Sequence, residues 1–466
     1  TTGESNNALG SHALQTNTTG TRNNAFGVSA LQLNTTGSDN SAFGQLTLQQ
    51  NTTGSSNTAV GAFALDANTT ASNNTAVGIY SLTENTTGTA NTAMGFQSLN
   101  SNVSAASNTA VGYNSLYSNT TGGPNTAIGR ASLFTNTTGG ANTAVGFTAL
   151  ENSTTASNNT AVGDAALKAN TTGSNNVAIG ADSLKSNLTG TNIVAVGYAA
   201  LENNTASSNV AVGDNCLNDN TSGTANTAIG RSALSKNTTA DNNTAVGRSA
   251  LGNNTTGSSN VAVGFSALDA CTTGHSNVAV GNHACTEVTT GIRNTVIGLH
   301  AGDTITTGQR NTIIGYLADV DAATDGQCVV IGAQQTGKGS DTGMYGGFAG
   351  VFNQANTSTW ATTSDERIKK NIVNNNIGLD EINQIQVRNF EYRTPEEVDP
   401  ALPSHAAILK DGIQVGVIAQ EIQKILPDVV EQMSTGCYSV NSDNLIWYLV
   451  NAVKELSAKV TALEAG

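Results

Sequence analysis

The sequence has little charge, few aromatic residues and little proline for a chain of 466 residues. Only 11% of the residues are charged and 5% are aromatic, and there are five prolines. Low charge with many small polar residues indicates a disordered chain, unless a periodic pattern allows those residues to stack. No apolar run approaches the roughly 20 residues that cross a bilayer, and no signal peptide is visible, so we expect no membrane insertion.

Basic residues and ligand-forming clusters are also scarce. The chain has 19 Lys and Arg against 33 Asp and Glu, a net charge of −14. Because phosphate binding needs clustered Lys and Arg, we expect no nucleic-acid partner. The five cysteines have no regular spacing and are predicted to be unpaired small side chains. The five histidines are scattered, so we expect no metal site, and no cofactor is predicted.

Glycine is abundant and occurs in one strict register. From Gly10 to Gly332 a glycine recurs every 17 residues, with one step of 16 between Gly197 and Gly213, which gives 20 copies. The repeated unit is N-T-A-V-G-x-x-A-L-x-x-N-T-T-G-x-x. A short fixed period indicates a repeat architecture, and a period of 17 fits neither helical repeats nor heptads.

The pattern inside the unit is typical of a strand followed by turns. Thr58 and Val60 alternate around Ala59, a position where we expect that only a methyl group fits against a packed layer. The glycine is predicted to allow a tight bend or a close backbone approach. The Leu four residues later supplies one large apolar group per unit. The NTTG segment is predicted to be a turn in which Gly or Asn adopts unusual dihedral angles.

Two asparagines per unit are predicted to form ladders along a stack of units. One begins the unit, as Asn57 does, and the other precedes the two threonines, as Asn51 does. N-x-T triplets also match glycosylation acceptors, but their fixed register favours structural Asn and Thr ladders. A single unit has too few apolar atoms to fold alone, whereas stacked units bury each other's faces. The repeats therefore predict a mainly β protein with a parallel β-solenoid, also called a β-roll, over residues 1–332.

The NTAVG and NVAIG units resemble the head repeats of trimeric autotransporter adhesins and repeats that are common in phage tail-fibre proteins. The adhesin repeats are shorter than 17 residues, stack as left-handed parallel β-rolls and trimerise through small-residue faces. The resemblance therefore implies a trimeric shaft. Because residues 1–10 already lie inside a repeat, we expect an upstream segment that attaches to a tail or baseplate component.

Residues 333–363 interrupt the period and are rich in glycine and aromatic residues. A solenoid needs a cap on its last rung, and this segment is the predicted cap and linker. The alternative is a receptor-contacting tip, and one segment can serve as both. The candidate contact residues of the tip are Tyr345, Phe348, Phe352 and Trp360.

Residues 364–466 have the composition of a conventional small α+β domain. They contain nine Lys and Arg and fifteen Asp and Glu. Residues 376–393 are predicted to form a short helix and a strand. Residues 412–430 are predicted to form a strand and an amphipathic helix that ends near Pro427, and a strand or turn from residue 436 leads into a final helix.

The final helix has apolar residues at alternating spacings of three and four, which is the pattern of a coiled coil. A coiled coil needs partner helices, and a trimeric shaft favours three of them. The alternative is a lone amphipathic helix that packs on its own domain. The apolar residues, called the seam below, are Ile446, Leu449, Val453, Leu456, Val460 and Leu463.

The segments SDERIKKNI, GVIAQEIQ, YSV and NAVKELSAKVTALE resemble the intramolecular-chaperone domain of phage tail spikes, tail fibres and endosialidases. The resemblance covers residues 364–466 and implies a domain that trimerises, guides folding of the upstream β-structure and cuts itself off. The family's catalytic serine and lysine match Ser364 and Lys369, and its cut matches the Thr363–Ser364 bond. A serine needs a base, and a lysine is a base only when desolvation or nearby positive charge lowers its pKa.

The sequence thus predicts a structural and adhesive tail fibre, extracellular on a virion, that acts once on itself as a serine peptidase. The homotrimer is expected to bind a host cell-surface glycan or protein receptor. A bacterial surface trimeric adhesin is one alternative. A glycan depolymerase would need paired carboxylates near a groove, but Asp and Glu do not recur in register. Regular threonine rows leave an ice-binding solenoid as a further alternative.

Overall fold

The structure is a computed structural model that describes residues 2–346, 351–354, 369–394, 397, 412–432 and 437–465, with only the backbone for 351–354 and 443. The chain divides into two compact units, Thr1–Thr362 and Thr363–Gly466. The first unit contains the repeats and the second contains the three helices of the described chain.

Each repeat of the first unit contributes one three-residue strand, and each strand pairs in parallel with the strand of the next repeat. In a typical pair Thr58 lies opposite Thr75 and Ala59 opposite Ala76. The prediction of a mainly β parallel solenoid of 20 turns is confirmed. The strands are β1 Asn7–Leu9, β2 Asn24–Phe26, β3 Ser41–Phe43, β4 Thr58–Val60, β5 Thr75–Val77, β6 Thr92–Met94, β7 Thr109–Val111, β8 Thr126–Ile128, β9 Thr143–Val145, β10 Thr160–Val162, β11 Val177–Ile179, β12 Val194–Val196, β13 Val210–Val212, β14 Thr227–Ile229, β15 Thr244–Val246, β16 Val261–Val263, β17 Val278–Val280, β18 Thr295–Ile297, β19 Thr312–Ile314 and β20 Val329–Ile331.

Alanine and leucine fill the interior of the solenoid. Ala59 and Leu65 are fully buried in one hydrophobic cluster with their equivalents from the other repeats. Thr58 and Val60, on either side of Ala59, point outward and are exposed. The alanine column therefore packs inside its own chain. It is not available as the small-residue trimer interface that the resemblance to adhesins implies.

The repeat glycine meets both of its predicted requirements. Gly27 has φ +145°, and a Cβ at this position would lie 2.3 Å from the carbonyl oxygen of Gly44 on the next rung. The NTTG segment bends the chain as predicted, but neither Asn51 nor Gly54 has a positive φ, so the predicted unusual dihedral angles are not found there. The positive φ values fall instead on Ser56, at 58°, and on the buried Leu65, at 52°. Burial of the leucine side chain offsets the strain of this conformation.

Both predicted asparagine ladders are confirmed. Asn51 Nδ2 donates to Asn34 Oδ1 at 2.8 Å and to the carbonyl oxygen of Gly54 at 2.9 Å. In the other ladder, the backbone amide of Asn74 donates to Asn57 Oδ1 at 3.0 Å. These side chains are fully buried, so each rung meets the hydrogen-bonding needs of its neighbour.

The 16-residue repeat keeps the strands in register. Val194 lies opposite Val210 and Ala195 opposite Ala211. The missing residue is absorbed in the turn after Asn204, where the side-chain amide reaches Ala206 O at 2.7 Å. The stack ends after β20 with β21, Thr342–Tyr345, which pairs with β20 in parallel. The next strand, β22 Val351–Gln354, pairs with β21 in the antiparallel direction and ends the parallel order.

The second unit is small and contains two antiparallel strand pairs. Its elements are α1 Leu379–Ile382, β23 Arg388–Phe390, β24 Gln414–Gly416, α2 Ala419–Ile422, a 3₁₀ turn Pro427–Val429, β25 Val430–Gln432, β26 Tyr438–Val440 and α3 Ser442–Glu464. β23 pairs with β24 and β25 with β26. The α+β prediction is confirmed, but α2 ends at Ile422, before the predicted end near Pro427.

Candidate functional site

The inner face of α3 holds the second unit together. Tyr448 is buried in a cluster with Ile422, Leu426 and Val429. Its hydroxyl donates to the carboxylate of Asp428. This hydrogen bond, together with desolvation, raises the pKa of Tyr448.

Polar side chains of α3 also hold the segment that follows Lys370. Asn451 Nδ2 donates to the carbonyl oxygens of Asn375 and Ile377, both at 3.1 Å. The backbone amide of Leu379 donates to Glu455 Oε2 at 3.0 Å. These anchors were not predicted from the sequence, because Asn451 and Glu455 lie between seam residues and resemble ordinary polar surface positions.

The seam of α3 lies on a different face from these anchors. All six seam residues are exposed, from 44% for Val460 to 83% for Leu463. The helix does pack on its own domain, through Tyr448 and Ala452, but this packing does not cover the seam. Six large apolar side chains on one helix face are therefore exposed to solvent in the single chain.

The first seam residues border an apolar groove. Ile446 and Leu449 line it together with Ile382, Ile385 and Val387. Because the groove is continuous with the seam, the exposed apolar surface extends from α3 to the loop between α1 and β23.

The predicted catalytic pair lies mostly outside the described residues. Thr363 and Ser364 are not among them, and Lys369, the first residue after that gap, is exposed. Because Ser364 lies outside the described residues, the dyad of Ser364 and Lys369 stays a prediction. Of the candidate tip residues, Tyr345 lies in β21 and is 37% exposed. Phe352 lies in β22, while Phe348 and Trp360 are outside the described residues.

The sequence model of one protein family, the chaperone of endosialidase, matches residues 364–431. The second unit is similar to that chaperone. The match includes Ser364, Lys369 and the elements from α1 to α2, whereas α3 lies beyond it. No curated protein matches the chain. We call the unit Thr363–Gly466 the chaperone-like unit below.

The solenoid carries an exposed row of apolar residues that the sequence analysis did not identify. The residue directly before each repeat glycine is apolar in all 20 repeats, and none of these side chains is buried. The alternation around the alanine indicates this row once the alanine is known to point inward, because its two neighbours in the strand must then point outward. This apolar column consists of Leu9, Phe26, Phe43, Val60, Val77, Met94, Val111, Ile128, Val145, Val162, Ile179, Val196, Val212, Ile229, Val246, Val263, Val280, Ile297, Ile314 and Ile331.

The buried thiols are not suited to nucleophilic chemistry. All five cysteines are free, and the four in the solenoid are buried. Burial raises the pKa of Cys216 to about 12 and that of Cys271 to about 11, so both are neutral thiols at physiological pH. Within the described residues, no His, Cys, Asp and Glu side chains group in a way that would hold a metal ion, and no helix is long and apolar enough to cross a membrane.

Proposed function

We propose that the chain is the shaft and assembly module of a homotrimeric, tail-fibre-like attachment protein that lies outside the cell on a virion. The observation that carries the proposal is the exposed seam of α3, in a unit that is similar to the chaperone of endosialidase. A seam with a period of 3.5 residues is buried when helices supercoil around one another. Three chains bring three seams together at one end of the fibre.

The apolar column supports the same assembly along the shaft. The column runs over twenty rungs at ~4.8 Å, which makes it about 90 Å long. A continuous apolar surface of this kind favours a protein–protein contact. The column contains no charged residue, so a second copy of the shaft can cover it without burying an unpaired charge.

The register of identical rungs explains the need for a chaperone. Parallel rungs that repeat every 17 residues can pair with the wrong rung of a neighbouring chain at little energetic cost, because each rung presents nearly the same surface. A C-terminal unit that trimerises first aligns the three chains at one end. The shaft then assembles from a fixed starting register.

The chaperone-like unit separates after assembly by one self-cleavage. The Ser364 hydroxyl attacks the carbonyl carbon of Thr363, its proton passes to the amine of Lys369, and the peptide nitrogen leaves with a proton as the new amino group. Water then hydrolyses the ester, which frees the carboxylate of Thr363 and restores the hydroxyl. Arg367 and Lys370 place further positive charge close to Lys369 in the sequence.

The free shaft attaches to a host cell-surface glycan or protein receptor. The segment with Tyr345, Phe348, Phe352 and Trp360 follows the last full rung and is the proposed tip. It combines a cap with aromatic side chains, which are enriched at binding interfaces.

The seam is tested by placing one carboxylate on it and one beside it. Leu456→Asp introduces a charge into the seam, whereas Ser457→Asp places the same charge on the next, exposed position of α3. We expect Leu456→Asp to give monomers and Ser457→Asp to give trimers in light scattering after size exclusion, because a buried unpaired carboxylate destabilises a helix interface. Trimers in both variants would overturn the proposed role of α3.

A further inference from the structure

A second column of the solenoid differs in character from the apolar column. The residue directly after each repeat glycine, which we call the flank column, is variable in chemistry, from Ala181 to Tyr198 and Asp214. The residue two positions earlier, directly before the glycine, is apolar in all 20 repeats. Exposed side chains of the flank column do not fill the interior, so the packing of the rungs does not restrict which residue occupies each position. These positions can therefore serve recognition.

Aromatic side chains and an arginine occupy four consecutive rungs of the flank column. Phe96 and Tyr113 stack with ring centroids 5.3 Å apart. On the next rung the guanidinium of Arg130 lies 6.0 Å from the ring centre of Tyr113 and 5.2 Å from that of Phe147. Arg130 is thus placed between two rings, which hold its position by cation–π contacts.

This placement leaves the donors of Arg130 available. A guanidinium contacts rings through its faces, while its N–H groups lie in its plane and form a fork that matches a carboxylate or sulfate. None of the ion pairs formed by the described residues includes Arg130. The neighbouring positions before and after the glycines of these rungs are also free of Asp and Glu.

The same arrangement recurs further along the shaft. Arg248 lies 5.5 Å from the ring centre of Phe265 on the following rung, in the same column and the same order as Arg130 and Phe147. Seven rungs at ~4.8 Å separate the two arginines, a distance of about 34 Å. Arg248 is exposed and is likewise absent from the ion pairs of the described residues.

We propose that the flank column binds a linear acidic polysaccharide that lies along the shaft and contacts Arg130 and Arg248 through its carboxylate or sulfate groups. The inference rests on the proposed function, because it names the class of receptor and places a second contact region on the shaft. A polymer fits better than a small anion, since one chain can reach both arginines and gain affinity from two contacts. Nucleic acid fits poorly, because the protein carries a net charge of −14 and these cations are isolated.

The test uses the trimer obtained by expressing the full-length chain and four probes: polygalacturonate, dextran sulfate, neutral dextran and double-stranded DNA. We compare the wild-type protein with the double variant Arg130→Gln/Arg248→Gln. Arg231→Gln is the matched control, because Arg231 lies in the same column but is paired with Asp214 at 3.6 Å. Circular dichroism and light scattering establish that all three proteins fold and assemble alike.

We expect at least one acidic polysaccharide to bind the wild-type protein, with an affinity that falls as salt increases. The double variant should bind about tenfold more weakly or worse, and Arg231→Gln within about twofold of wild type. Equal binding by the double variant, equal binding of neutral dextran, or tighter binding of DNA would overturn the inference. A trimer that adheres to cells but binds neither acidic polymer would also overturn it while leaving the proposed attachment function intact.

Discussion

The asparagine ladder inside the shaft is interrupted at Ser153 and ends at Asn254. Ser153 follows Asn136 in the column, and Asn254 is followed by Cys271, Val288 and Ile305 instead of Asn. In both cases the Oδ1 atom of the preceding asparagine is buried without a hydrogen-bond partner in the described structure. Each interruption therefore leaves one desolvated acceptor, which costs stability.

Restoring the ladder is expected to stabilise the shaft. In Ser153→Asn, the new side-chain amide can donate to Asn136 Oδ1 and accept from Asn170, as it does in the intact part of the column. We expect a gain of about 1–2 kcal/mol in local stability. Hydrogen exchange of the amides between residues 136 and 170 measures it. The converse substitution Asn68→Ser breaks a ladder at Asn51, and faster exchange there is the matched control.

A half-buried carboxylate gives the shaft a pH-dependent weakness. Burial raises the pKa of Asp66, and its Oδ1 is buried without a partner in the described structure. A raised pKa in the folded state means that the folded protein binds the proton more tightly, so this destabilisation is fully present above the folded pKa and disappears as the pH falls below the unfolded value. Asp66→Asn should therefore raise the melting temperature at pH 7 and have little effect near pH 3. A larger gain at pH 3 than at pH 7 would contradict this.

At the level of the repeat, the sequence predicted the strand, one large apolar leucine per unit and both ladders. These features have a period that can be read directly, because every rung repeats the same environment. The positive φ at Leu65 and Ser56 could not be predicted, since neither residue type favours that conformation and only the closed rung imposes it. The outward direction of Val60 follows from the inward direction of Ala59, and the sequence does not state which of the two faces the interior.

The natural 16-residue repeat predicts which deletions the shaft tolerates. Deleting Thr87 shortens the turn between Asn85 and Gly88 as the natural repeat does, so β6 should keep its register. Deleting Ala93 moves Thr92 or Met94 into the interior position, because side chains alternate along a strand. We expect protection from hydrogen exchange in β6 and β7 to survive the first deletion and to be lost in the second. Equal loss of protection in both variants would show that the turn does not tolerate the deletion of a residue.

The C-terminal elements could be predicted less completely than the rungs. The seam of α3 was evident from spacing, but the anchors Tyr448, Asn451 and Glu455 were not. They belong to contacts that join distant parts of the sequence and have no period. Cys271, Cys285 and Cys328 lie in the last quarter of the shaft. They depart from the repeat at single positions, so no period in the sequence accounts for them.

For the whole molecule, the proposed cleavage separates the two units at one bond. Ser364→Ala removes the nucleophile, and we expect the full-length chain to persist where the wild-type chain gives two fragments. Mass spectrometry under denaturing conditions measures the fragment ends, which should fall at Thr363 and Ser364. Ser358→Ala changes a nearby serine outside the proposed dyad and should leave cleavage unaffected. Cleavage of Ser364→Ala at the same bond would remove Ser364 from the mechanism.

Trimerisation and cleavage are coupled in this account, because the chaperone-like unit aligns three shafts before it leaves them. Native mass spectrometry of the product made from the full-length gene segment tests this most directly. The account predicts a complex that contains three copies of a chain ending at Thr363. A monomer of the intact 466-residue chain, under conditions in which the solenoid is folded, would contradict it.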